Sequence, residues 1–148
     1  MDLHPDFSDL LLAFNAENVR YLIVGAHALA AHGHARMTKD LDVWVDCTPD
    51  NAEQVFRALV RFGAPLDRVS VSDFADPDTI FQIGIAPVRI DILTGIDGVR
   101  FPDAWGARLQ VTIGGIPTSV IGREALAQNK RTAGRPQDLI DLAYLENE

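Results

Sequence analysis

The apolar positions of this chain change period as it proceeds, and the changes predict alternating helices and strands. Within residues 5–15, Phe7, Leu10, Leu11 and Phe14 recur at helical spacing, with acidic residues in the first turn. Residues 21–24, Tyr-Leu-Ile-Val, form a short apolar run that reads as a strand and stops at Gly25. A short helix of small residues is expected next, then a loop through Arg36 and Lys39. A second strand follows, carrying Asp40, Asp42 and Asp46. Side chains alternate along a strand, so Asp40, Asp42, Trp44 and Asp46 share one face, while Leu41, Val43 and Val45 supply the other.

Thr48-Pro49-Asp50 then offers a cap with proline in the first helical position. The helix it starts should bury Ala52, Val55, Phe56, Leu59 and Val60 and end at Gly63. Residues 64–78 lack a period and read as loop. Residues 79–85 and 88–93 read as strands joined through Ala86-Pro87. In the second, Val88, Ile90 and Ile92 face one way and Arg89, Asp91 and Leu93 the other. Asp97-Gly98 signals a turn, and residues 109–113 and 116–120 flank Gly114-Gly115 as a two-residue hairpin. A helix over residues 122–131 and a last one from Pro136 complete the chain, the latter packing Leu139, Leu142 and Ala143 inward.

Composition changes this picture little. A chain of 148 residues, 47% hydrophobic and 23% charged, fits one domain over residues 1–148 with an ordinary core. No apolar run approaches the roughly 20 residues of a spanning helix, and the amino terminus lacks signal-peptide character. Cys47 is the only cysteine, so no internal disulfide is expected and a cytoplasmic location fits. A net charge of −8 argues against a broad nucleic-acid-binding surface, although Arg123, Lys130, Arg131 and Arg135 form a local basic cluster.

Candidate chemistry centres on carboxylates. Asp40 and Asp42 on an apolar strand suit a hard divalent cation, and oxygen ligands make Mg²⁺ the natural choice. Alone, such a pair can be a solvated face. Asp91 changes the balance, because a charge within an apolar strand is costly unless paired or metal-bound. His27, His32 and His34 do not make a zinc site: positions 27 and 32 do not share a helix face, and no cysteine is near. Asp46 reads as a strand-end carboxylate, Trp44 as either a border of the site or plain packing. Lys130 and Arg131 equally complement their helix terminus, and Asp138 and Asp141 suit the first turns of theirs. No phosphate loop, dinucleotide fingerprint or nucleophile elbow is present.

Gly25, then Asp40-Leu41-Asp42, then a lone Asp91 in VRIDIL resembles the nucleotidyltransferase superfamily with the DNA polymerase β-like fold. The runs Arg36-Met-Thr-Lys-Asp-Leu-Asp and Lys130-Arg-Thr-Ala-Gly-Arg-Pro-Gln-Asp-Leu resemble segments of its small bacterial members, which include toxin, antitoxin and phage-defence components. The resemblance implies an α/β (α+β) fold with a mixed, mostly antiparallel sheet and helices on one side and at the ends. It implies Mg²⁺-dependent transfer of a nucleoside monophosphate from a triphosphate, ATP being the expected one, to an acceptor hydroxyl. A two-metal site would be held by Asp40, Asp42 and Asp91, which would also be the catalytic residues.

Gly25, Ala26, His27, Arg36, Lys39, Lys130 and Arg135 are the nucleotide-binding candidates. Gly25 would let the backbone approach the triphosphate, and the amides opening the next helix would offer an anion site. Ala26 stands where these proteins usually carry Gly or Ser, so no serine hydroxyl is available there. Acceptors of such proteins include transfer RNA ends, protein side chains and small-molecule hydroxyls. A partner protein or second copy would supply the acceptor surface. The alternative is a catalytically silent module of the same fold, acting as an antitoxin or partner-binding protein.

Overall fold

Strand β1 (Tyr21–Val24) is buried at every position and anchors the sheet. It pairs antiparallel with β2 (Asp40–Val45) and parallel with β6 (Ile116–Val120). On one side β2 pairs parallel with β4 (Val88–Leu93), which pairs antiparallel with β3 (Ile80–Ile85); on the other, β6 pairs antiparallel with β5 (Leu109–Ile113). The computed structural model describes residues 3–34, 40–85 and 88–147. Among these the sheet is mixed, with strand order β3-β4-β2-β1-β6-β5. Arg36, Lys39 and the Ala86-Pro87 connection lie outside the described residues.

The β5–β6 hairpin forms where the sequence places it. Gly114 and Gly115 have φ of 57° and 81°, the doubly left-handed turn that glycine enters at little cost. Leu41, Val43 and Val45 of β2 join Ile90 and Ile92 of β4 in the buried core. Helices α1 (Pro5–Ala16), α3 (Pro49–Phe62) and α4 (Val71–Phe74) cover this face. Phe14 of α1 meets Tyr21 edge-on, Phe74 of α4 meets Phe81, and α3 packs against both neighbouring helices. The Thr48 hydroxyl accepts from the Asn51 amide, a cap worth about 1 kcal/mol.

Two local readings change, and one helix forms where the pattern predicts no element. Residues 64–78 contain α4, whose start is fixed by the Asp73 carboxylate accepting from the Ser70 amide at 2.8 Å. A single helical turn of that kind shows no apolar period. The same holds for α5 (Phe101–Gly106), which lays Phe101 on Trp44 with ring centroids 5.0 Å apart. In α3 the buried stripe is Ala52, Val55, Ala58 and Leu59, whereas Phe56 is half-buried and Val60 is exposed. The remaining helices are α2 (Gly25–Ala31), α6 (Arg123–Ala133) and α7 (Pro136–Glu146). No helix is long and apolar enough to cross a membrane among the described residues.

Candidate active site

Residues paired across neighbouring strands point to the same face. Asp42 stands opposite Asp91 on one side and Val24 on the other, and Asp40 stands opposite Arg89. The parallel pairing of β2 with β4 therefore sets Asp40, Asp42, Asp91 and Arg89 on one patch of sheet. Trp44, on the same face, is fully buried under Phe101 and is a packing residue. Asp46 is a strand-end carboxylate, held by Arg20 Nε at 3.0 Å.

The Arg89 guanidinium sits between two of the carboxylates. Its Nη2 lies 3.2 Å from Asp40 Oδ2 and 3.3 Å from Asp91 Oδ2. Its Nε is 3.0 Å from Asp91 Oδ1, close enough for an ion pair but misaligned, so that Asp91 Oδ1 is buried without a hydrogen-bond donor. Burial, followed by the charges of Asp91 and Asp40, lifts the Asp42 carboxyl from the ordinary 3.8 to about 6, against the opposing pull of Arg89 and Lys130.

Gly25 fixes the position of Asp42. Its φ is +70°, and a Cβ there would overlap the Asp42 carboxylate. Gly25→Ala should cost about 1–2 kcal/mol from the left-handed backbone alone and push Asp42 off the site. Thermal melting with and without Mg²⁺ checks this: a lower melting temperature and a smaller cation-induced rise are expected, and an unchanged pair of curves would refute it.

Beside Asp42 opens a cleft of about 410 Å³. It is lined by Gly25 and Asp42, by the apolar Ile80, Leu93 and Ile96, and by Asn129, Lys130 and Arg135. Lys130 is buried, its Nζ 3.3 Å from Asp138 and 3.2 Å from Asp141. Arg135 caps α7 and grips Asp138 with Nε at 2.7 Å and Nη2 at 3.2 Å. Burial alone would raise the Asp138 carboxyl, but the hydrogen bonds from Arg135 and Lys130 outweigh it and hold it below the usual range. This network reverses the expected orientation of α7: Asp138, Asp141 and Leu145 point inward, Leu142 is half-buried, and Leu139 and Ala143 are exposed. Two carboxylates satisfied by Lys130 can be buried; the apolar period of so short a helix could not show that.

The structure thus brings Asp40, Asp42 and Asp91 to one face and Gly25, Lys130 and Arg135 to the adjoining cleft. Ala26 is half-buried beside Gly25 and does not line the cleft. His27 is not brought there either. α2 turns it toward α1, where its ring meets Phe7 edge-on at 5.6 Å, and it borders a separate cavity of about 230 Å³ with Val111 and Ile113. Burial lowers its imidazole pKa. α2 is seven residues long, so little macrodipole is available to an anion at its start. Arg89, Ile80, Leu93, Ile96 and Asn129 escaped the sequence reading. Only Arg89 left a signal, sharing the strand face of Asp91 two residues away.

Among the described residues, no three acidic, histidine or cysteine side chains converge as a finished metal cage. The Arg89 guanidinium already pairs with two of the three carboxylates, Asp40 and Asp91. The donors nevertheless suit a hard divalent cation. Asp42 carries an unfavourable negative field and Asp91 Oδ1 lacks a donor, and a cation between them would relieve both.

The mixed six-stranded sheet with its flanking helices is the nucleotidyltransferase fold, and solved structures share it. A Thermotoga maritima protein assigned as a nucleotidyltransferase superposes with a TM-score of 0.61 at 16% identity, over 95% of this chain and 90% of that one. ANT(2″)-Ia, solved with adenylyl-2″-tobramycin, gives 0.57 at 16% identity, over 94% and 84% of the two chains. An antigenic nucleotidyltransferase-like protein from Paracoccidioides brasiliensis gives 0.54 at 16% identity, over 95% and 74%. At this identity the likeness is one of fold. No protein-family model and no curated protein matches the sequence.

Proposed function

We propose that this chain transfers a nucleoside monophosphate from a nucleoside triphosphate to an acceptor hydroxyl. The observation that carries the reading is Asp42, paired across the strands with Asp91, lining a cleft that Lys130 and Arg135 also line. The nucleotidyltransferase fold supports it. Asp42 and Asp91, with Asp40, would hold Mg²⁺, which when bound stabilises the attacking and leaving oxygens of an in-line displacement. The acceptor oxygen attacks the α-phosphorus, Asp91 takes the hydroxyl proton, and the bond to the β-phosphate oxygen breaks to release pyrophosphate. Lys130 and Arg135 face the triphosphate. Arg135 is the more adaptable of the two, its side chain being 76% exposed.

A transfer RNA end, a protein side chain and a small molecule all offer suitable hydroxyls. The adenylylated tobramycin bound to ANT(2″)-Ia makes a small-molecule hydroxyl the first acceptor to assay. A role in a toxin–antitoxin or defence system, with a partner protein or second copy supplying the acceptor surface, extends the same reading. A silent module that binds a partner draws on one specific observation, the occupation of Asp40 and Asp91 by Arg89.

Calorimetric titration with a non-hydrolysable ATP analogue, with and without Mg²⁺, separates these readings. Magnesium-dependent binding that disappears in Asp40→Asn/Asp42→Asn is expected. Failure to bind any of the four nucleotides would sink the transferase reading in favour of the silent module.

A further inference from the structure

We propose that Arg89 is a built-in latch on the carboxylate site, its guanidinium pairing with Asp40 and Asp91, two of the three carboxylates that would hold a divalent cation, until it is displaced. The inference rests on the transferase reading above and adds a control step to it. Arg89 makes close contacts with both carboxylates, at 3.0 Å to Asp91 and 3.2 Å to Asp40. Its side chain is 35% exposed, so it has room to leave, whereas the 12% exposed Asp91 does not. The misaligned Nε–Oδ1 contact makes this a pairing of charge rather than a well-formed fork, and such pairings yield to a doubly charged competitor.

Displacement has a direction. A guanidinium is always charged, so it repels an incoming cation at any working pH and relaxes only when offered another anion. The triphosphate is that anion. Nucleotide entering the adjoining cleft draws Arg89 off the carboxylates and lets the cation take its place. Cation binding and nucleotide binding are therefore coupled through Arg89, and the free protein holds divalent ions weakly.

Mn²⁺ affinity, read by electron paramagnetic resonance and by calorimetry on the intact chain, tests this in wild type, Arg89→Gln, Arg89→Lys and Asp42→Asn. Arg89→Gln should bind Mn²⁺ about tenfold more tightly than wild type, the pair being partly exposed and its charge partly screened. Arg89→Lys should stay near wild type. Millimolar methylguanidinium should weaken Mn²⁺ binding to Arg89→Gln toward the wild-type value, and a non-hydrolysable ATP analogue should strengthen it more in wild type than in Arg89→Gln. Wild-type binding abolished by Asp42→Asn, but equal or weaker in Arg89→Gln, would leave the cation site standing and overturn the latch. Absence of binding in every protein, Arg89→Gln included, would overturn both the latch and the transferase reading. Melting curves in chelator confirm that each variant is folded.

Discussion

Asp42→Asn should produce a protein that is more stable than wild type at neutral pH and yet inactive. Folding raises the Asp42 carboxyl from 3.8 to about 6, so the folded state holds that proton more tightly than the unfolded chain. Its favourable contribution is complete below the unfolded value and is lost as pH rises through the folded one. Above about 6 the ionised group opposes folding. At about 1.4 kcal/mol per pH unit of displacement, less the screening from the open cleft, the penalty is about 2 kcal/mol. Urea denaturation in chelator, from about pH 4 to about pH 8, should show the variant gaining on wild type across that window. Added Mg²⁺ should then narrow the gap, because only wild type gains from the ion. A difference in stability that does not change with pH would contradict the assignment of strain to Asp42, and retained transfer would contradict the mechanism.

The second large effect is expected at Lys130. Its ammonium is the shared counter-charge of Asp138 and Asp141, which are 2% and 0% exposed. Lys130→Met removes that counter-charge from both carboxylates, while Asp138 keeps its contact with Arg135. Breaking a buried pair from one side costs about 3–5 kcal/mol, a large part of the 5–15 kcal/mol that holds a typical domain together. Adding Asp141→Asn should recover most of the loss, since an amide needs no counter-ion. That double variant also separates two roles of Lys130. If the lysine only holds α7, the folded double variant should bind nucleotide as wild type does; if it faces the triphosphate, binding should remain weak. An unaltered denaturation midpoint in Lys130→Met would show that the pair adds nothing to stability.

The hydrophobic pattern reported what each segment does with its own neighbours. β1, β2, β4 and the β5–β6 hairpin fall where period and turn residues place them, because alternation and a Gly-Gly turn are local properties. The helix starts at Pro5, Pro49 and Pro136 are similarly local, fixed by proline in the first turn. α4 and α5 were not legible, being single turns whose apolar residues find partners only across the sheet, Phe74 on Phe81 and Phe101 on Trp44. The inward face of α7 differs from its apolar period for a related reason. Its apolar period would turn Leu139 and Ala143 inward, but Lys130, eight positions before Asp138, makes carboxylates the better buried group.

The sequence by itself determined that Asp40 and Asp42 share a strand face, that Asp91 interrupts an apolar strand, and that Gly25 ends β1. Strand parity and the cost of a buried charge suffice for each. Only the tertiary structure decided that Asp42 and Asp91 stand side by side, since register between strands separated by 49 positions is set by packing of the whole sheet. It also decided that Arg89 sits between the carboxylates and that His27 turns to another cavity. Long-range electrostatics of this kind depends on distances across strands, and those come into being only when the sheet closes.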